Sequence, residues 1–77
     1  MGNHDEKYRQ LGLNISHYRR LKGLSQEKLA EIVHMSRGHL SHIEAPRMTS
    51  SFSIALLFDI ADALEIDVKQ LFEFKII

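Results

Sequence analysis

Arg37, Gly38, Ser41 and His42 fall within one stretch, Arg-Gly-His-Leu-Ser-His, in which the apolar residues Leu40 and Ile43 recur three apart. If that stretch is helical, positions 36, 40, 43 and 44 share the inward side, and Arg37, Gly38, Ser41 and His42 share the outer one. A guanidinium, a hydroxyl and an imidazole on one exposed face are groups that bond base edges in a DNA major groove, Arg to guanine O6 and N7 above all. Gly38 costs roughly 1 kcal/mol inside a helix but lets the helix axis come close to a ligand. On spacing alone, an ordinary solvated helix face is the stronger reading. Other chemistry has less support. His39 and His42 lie one helical turn apart among five histidines, but no cysteine and no nearby inward carboxylate completes a tetrahedral metal site. No supported Ser/His/Asp set and no glycine-rich phosphate loop is present. The expectation is therefore no enzyme, no cofactor, no metal and no small-molecule ligand.

The elements that would position these residues are helical. Tyr8, Leu11, Ile15 and Tyr18 recur at three- and four-residue steps, Arg19, Arg20 and Lys22 suit the last turn, and Gly23 is a stop signal. Ser25 is a good N-cap for a short second helix whose inward face is Leu29, Ala30, Ile32 and Val33. His34-Met35-Ser36 then make the brief connection that lets two helices cross steeply, with Ser36 capping a third helix from about Arg37 to Glu44 that Pro46 terminates. Residues 47 to 52 read as a loop, with Ser51 or Ser53 as the next cap. Ile54, Leu57, Phe58, Ile60, Ala61 and Leu64 cover more than one face, which predicts a fourth helix buried on most sides. Glu65-Ile66-Asp67 break it, and Val68, Leu71 and Phe72 predict a last short amphipathic turn or helix. Residues 1 to 6 read as a mobile lead-in, 7 to 74 as the domain, and 75 to 77 as a tail.

Seventy-seven residues allow one small domain, and 44% apolar with 26% charged residues is an ordinary globular composition. The absence of cysteine excludes a disulfide framework and thiol chemistry. No apolar run approaches the ~20 residues that span a bilayer, and the first residues have neither a signal peptide's apolar stretch nor a myristoylation motif. An all-α, soluble, cytoplasmic domain is expected, without a membrane partner. The zero net charge conceals an asymmetry. From Lys7 to Arg47 eight bases face three acids, whereas from Met48 to Ile77 five acids face two bases. One side suits a polyanion, the other solvent or a partner, although ordinary surface charge can segregate in the same way.

Three stretches together carry a resemblance. Gly-Leu-Ser-Gln-Glu-Lys-Leu-Ala-Glu-Ile-Val at 23 to 33, Met-Ser-Arg-Gly-His-Leu-Ser-His-Ile-Glu at 35 to 44, and Phe-Ser-Ile-Ala-Leu-Leu-Phe-Asp-Ile-Ala-Asp-Ala-Leu-Glu-Ile at 52 to 66, followed by Leu-Phe-Glu at 71 to 73, resemble the Cro and phage-repressor (XRE) type of helix-turn-helix domain. The resemblance covers about residues 9 to 73. It implies a compact, five-helix, lambda-repressor-like fold, with helices two and three forming the helix-turn-helix unit and helix three reading the major groove. It places Arg37, Ser41 and His42 at base-reading positions, with Gly38 beside them, and gives Gln26 a double role of holding a phosphate and bracing the recognition helix. Arg19 and Glu44 correspond to a structural ion pair. Arg20, Lys22, Arg47, Thr49 and Ser50 lie where relatives touch the sugar-phosphate backbone, and Ser36 and His39 complete the expected phosphate set. Two departures stand out. His34 occupies a turn position where relatives often have Gly, in a place that can require positive φ. Gly38 replaces a base-contacting side chain, which predicts fewer direct contacts or more reliance on DNA shape.

These readings lead to a sequence-specific regulator of bacterial or phage origin, a dimeric repressor acting on double-stranded DNA at a palindromic operator. The alternative is a protein-interaction module, such as an antitoxin or adaptor. Phe72, Phe74, Ile76 and Ile77 are the expected homodimer contacts, with Phe72 turned inward and the last residues at the interface.

Overall fold

A computed structural model describes residues 4–45 and 52–74. They form four α-helices, α1 (Asp5–Lys22), α2 (Gln26–Ile32), α3 (Arg37–Glu44) and α4 (Ile54–Leu64), followed by a 3-10 helix, Val68–Phe72. No strand occurs among the described residues. The expected all-α architecture is present, and its fifth element is the 3-10 helix.

Each element supplies one side chain to the completely buried centre: Ile15 from α1, Leu29 from α2, Leu40 from α3, Ile60 from α4 and Leu71 from the 3-10 helix. Burying a side chain of this kind contributes roughly 1.5–3 kcal/mol, so removing any element exposes part of one shared core. Around this centre lie Leu11, Ala30, Ile43, Leu57, Ala61 and Leu64. Tyr8 packs edge-on against Phe52 at 5.6 Å, tying the start of α1 to the approach to α4.

Local chemistry fixes the boundaries. The hydroxyls of Ser25, Ser36 and Ser53 accept from the backbone N–H groups of Lys28, His39 and Leu56 at 3.0–3.1 Å, starting α2, α3 and α4. Gly23 ends α1 at φ 81, with its N–H and that of Leu24 returning to the carbonyls of Arg20 and Arg19. Ala45 leaves α3 in the extended region, as suits a residue that precedes proline. Asp67 and Gln70 form a reciprocal capping box on the 3-10 helix.

Four expectations need correction. The helix begins at Asp5, inside the segment read as a lead-in, because Asp5 and Glu6 complement the positive end of the helix dipole. Ile32 is exposed and Val33 is the half-buried neighbour, since Val33 lies closer in angle to Leu29. Buried α4 positions form the single stripe Leu57, Ile60, Ala61 and Leu64, which leaves Ile54 and Phe58 exposed on its flank. Phe72 faces outward, 42% exposed, while Phe74 is half-buried against the core.

Candidate nucleic-acid interface

The α2–α3 connection turns on His34, which adopts the left-handed conformation at φ 60. The Met35 N–H bonds back to the Ala30 carbonyl at 2.9 Å and that of His34 to Glu31 at 3.2 Å, so the turn closes α2 before Ser36 opens α3. The position where Gly is the easier residue is thus occupied by a histidine in the conformation that Gly prefers, at a cost to the backbone.

Two faces of α3 follow from this turn. Leu40, Ile43 and Glu44 are buried, while Arg37, Gly38, His39 and His42 are exposed and Ser41 is half-buried. Ser36 is exposed as well, a correction to its placement on the inward side: a cap residue stands outside the helix, and its hydroxyl serves the His39 N–H. The outward group therefore comprises a guanidinium, two imidazoles and two hydroxyls with no carboxylate, a set that can donate to phosphate oxygens and base-edge acceptors.

The only acid of α3, Glu44, is held inside. Arg19 donates from Nε to one carboxylate oxygen at 2.8 Å and from a terminal nitrogen to the other at 2.9 Å, a bidentate pair with both side chains under a tenth exposed. The third Arg19 nitrogen donates to the Leu24 carbonyl at 2.7 Å, and Gln26 Nε2 adds a bond to Glu44 at 3.0 Å. One carboxylate thus joins α1, the first residue of α2 and the last residue of α3.

The remaining candidates divide by location. Arg20 is exposed near the end of α1. Lys22 is also exposed but pairs with Glu65 at the end of α4, and an exposed pair of this kind contributes about 0–1 kcal/mol, so it holds Lys22 only loosely. Arg47, Thr49, Ser50, Ile76 and Ile77 lie outside the described residues. The rings of Phe72 and Phe74 are 6.4 Å apart, one outward and one on the core. Asn14, which belongs to none of the sequence motifs, donates to the carbonyls of Leu71 and Glu73 at 2.8 and 3.1 Å and fastens this last segment to α1. Its place between Leu13 and Ile15, a polar residue inside a short apolar run, is the available signal. Among the described residues, no group of three or more His, Cys, Asp or Glu side chains is arranged to hold a metal ion, and no helix is long and apolar enough to cross a membrane.

A family model for the helix-turn-helix domain matches residues 15–71. Among solved structures, the chain is similar to the restriction-modification controller protein C.AhdI from Aeromonas hydrophila, at 28% identity and a TM-score of 0.82, over 92% of this chain and 100% of that one. It is also similar to the hypothetical transcription factor NHTF from Neisseria, at 29% identity and a TM-score of 0.76, over 88% of this chain and 75% of that one. No curated protein matches the sequence.

Proposed function

This chain belongs to the helix-turn-helix family, of the XRE type, and from that premise we propose that it is a sequence-specific repressor that binds a palindromic operator as a homodimer. The observation that carries the reading is the division of α3: its inner side and its only carboxylate are locked into the core, and its outer side offers Arg37, Gly38, Ser41 and His42 to a groove. Arg37 reads guanine, Ser41 and His42 bond neighbouring base edges, and Gly38 admits the close approach. Gln26, Ser36, His39, Arg20, Lys22, Arg47, Thr49 and Ser50 hold the sugar-phosphate backbone, with Gln26 acting at a helix start where free N–H groups attract an anion. The similarity to a controller protein supports control of the chain's own or neighbouring genes.

Self-association uses the C-terminal segment, where Phe72 offers an exposed ring and Phe74, Ile76 and Ile77 follow; the exposed Ile54 and Phe58 add apolar surface on α4. A two-fold dimer would space its recognition helices about 34 Å apart, one turn of DNA. The protein acts in the cytoplasm of a bacterium or on behalf of a phage, without catalysis, cofactor or small-molecule effector.

Selection of DNA from a random library by the purified protein at physiological salt tests the reading. An enriched palindrome with half-sites about ten base pairs apart is expected. A single half-site would remove the dimer, and no enrichment by folded protein would remove sequence-specific binding. The zero net charge favours a second reading, a module that binds another protein. A steep fall of DNA affinity with salt, reporting released counterions, opposes that alternative.

A further inference from the structure

The recognition helix has its polar anchor and its closest backbone contact at one end. Its last residues, Ile43 and Glu44, are buried, and three supports converge on them. Arg19 and Gln26 bond the Glu44 carboxylate, and Gly12 brings the backbone of α1 against that of α3. A β-carbon at Gly12 would overlap the Ile43 carbonyl oxygen, with the carbonyl carbon at 3.1 Å and the Glu44 Cα at 3.7 Å. All three are backbone atoms, so no side-chain rotation could make room, and α3 itself would have to move. At the opposite end Arg37, Gly38 and His39 are exposed, and a β-carbon at Gly38 would meet nothing within 4 Å. A rise of 1.5 Å per residue puts Arg37 about 10 Å along the axis from Glu44, so a tilt at the buried end is carried along the full length to the base-reading end.

We propose that Gly12 is a positioning residue for DNA recognition: it sets the separation of α1 and α3, and with it the angle at which Arg37, Gly38 and His42 are presented. The proposal rests on the DNA-binding reading above. Gly12 lies in mid-helix and buried, where its lack of a side chain costs helix stability. The close approach to Ile43 is the feature of the structure that needs it.

The test compares Gly12→Ala with Ile60→Val, which trims the shared core without touching α3's supports. Each is measured for melting temperature, for affinity toward the duplex that the wild-type protein enriches from a random library, and for the sequence it enriches itself. Gly12→Ala is expected to bind that duplex at least tenfold more weakly and to shift the preferred base at one or more positions. Ile60→Val should keep the wild-type preference and lose no more than about twofold in affinity. To guard against failure to fold, Gly12→Ala is also made in a Glu65→Gly background, where glycine relieves the φ 59 conformation at the end of α4, and is there compared with Glu65→Gly alone, which loses the same partner of Lys22. An unchanged preference and affinity in folded Gly12→Ala would overturn the proposal, as would equal losses in Ile60→Val. Unfolding of Gly12→Ala in both backgrounds would overturn it too, by showing that the contact serves folding alone. Failure of the wild-type protein to enrich any sequence removes the underlying DNA reading instead, and is seen before any variant is made.

Discussion

Replacing Gly38 with alanine should move stability and DNA affinity in opposite directions. In the free protein the substitution is open: a β-carbon at this position meets nothing within 4 Å, and the backbone is helical with no positive φ. Alanine is favoured over glycine by about 0.5–1 kcal/mol at such a site, with the lower end suited to the second residue of α3. An unfolding entropy of about 2.1 cal/mol/K per residue amounts to about 0.16 kcal/mol/K for a 77-residue chain, so the melting temperature should rise by about 3–6 °C. In the proposed complex the same methyl group would stand where the groove comes closest. An extra methyl forced into a filled contact typically costs about 1–3 kcal/mol, or about five- to 150-fold in Kd. Calorimetric or circular-dichroism melting and a fluorescence-anisotropy titration on the selected duplex give the two numbers. An affinity unchanged within twofold would refute the argument that DNA approaches the helix at Gly38, even if the protein melts higher. A lower melting temperature would refute the assumption of open helical surface.

Three further outcomes follow from the same geometry. Arg37→Ala should cost roughly 1–3 kcal/mol on the preferred site and relax the preference at one base position, which a repeated selection would reveal. Glu44→Ala leaves the Arg19 guanidinium buried without its partner, a loss of about 3–5 kcal/mol against a total of about 4–12 kcal/mol for a chain of this length; urea unfolding should show a midpoint reduced by about a quarter or more. Asn14→Ala removes two hydrogen bonds, worth about 1 kcal/mol each, and should speed amide exchange in residues 71 to 74 more than in α2.

Much of the fold can be read from short-range chemistry. Ser25, Ser36 and Gly23 act as their residue types require, and the short connection through His34 is legible from its length although His34 takes a conformation that glycine prefers, because caps and turns depend on a few neighbouring atoms. Side-chain direction at the periphery was harder to read. Phe72 belongs to a 3-10 helix with three residues per turn, so Val68 and Leu71 share a side and Phe72 falls a third of a turn away. An α-helical period would have brought it inward. On α4 the apolar residues extend beyond the stripe that fits the core, and composition cannot tell which flank remains uncovered. At the site, the Arg19–Glu44 pair and the Gln26 brace were accessible through the family resemblance, whereas spacing alone relates residues 18 and 25 apart to nothing. Gly12 and Asn14 act on segments distant in sequence, so their partners emerge only when the chain is folded.

Glu44 links stability to the charge of the proposed DNA-facing surface. A carboxylate in the last turn of a helix opposes the helix dipole, and on a surface facing phosphate it would also repel the ligand. Burial alone would be worse, since an unpaired carboxylate in a core is costly. Bidentate pairing with Arg19, with Gln26 as third donor, satisfies the carboxylate and keeps its charge off the outer face of α3. The positive charge of Arg19 is consumed in the same bond. The zero net charge of the chain is therefore no measure of the field at the proposed interface: two charges, one of each sign, are taken out of it, while Arg20 and Arg37 remain exposed. A helix whose charged anchor lies at its buried end can vary its exposed residues, and so its preferred sequence, without disturbing what holds it in place.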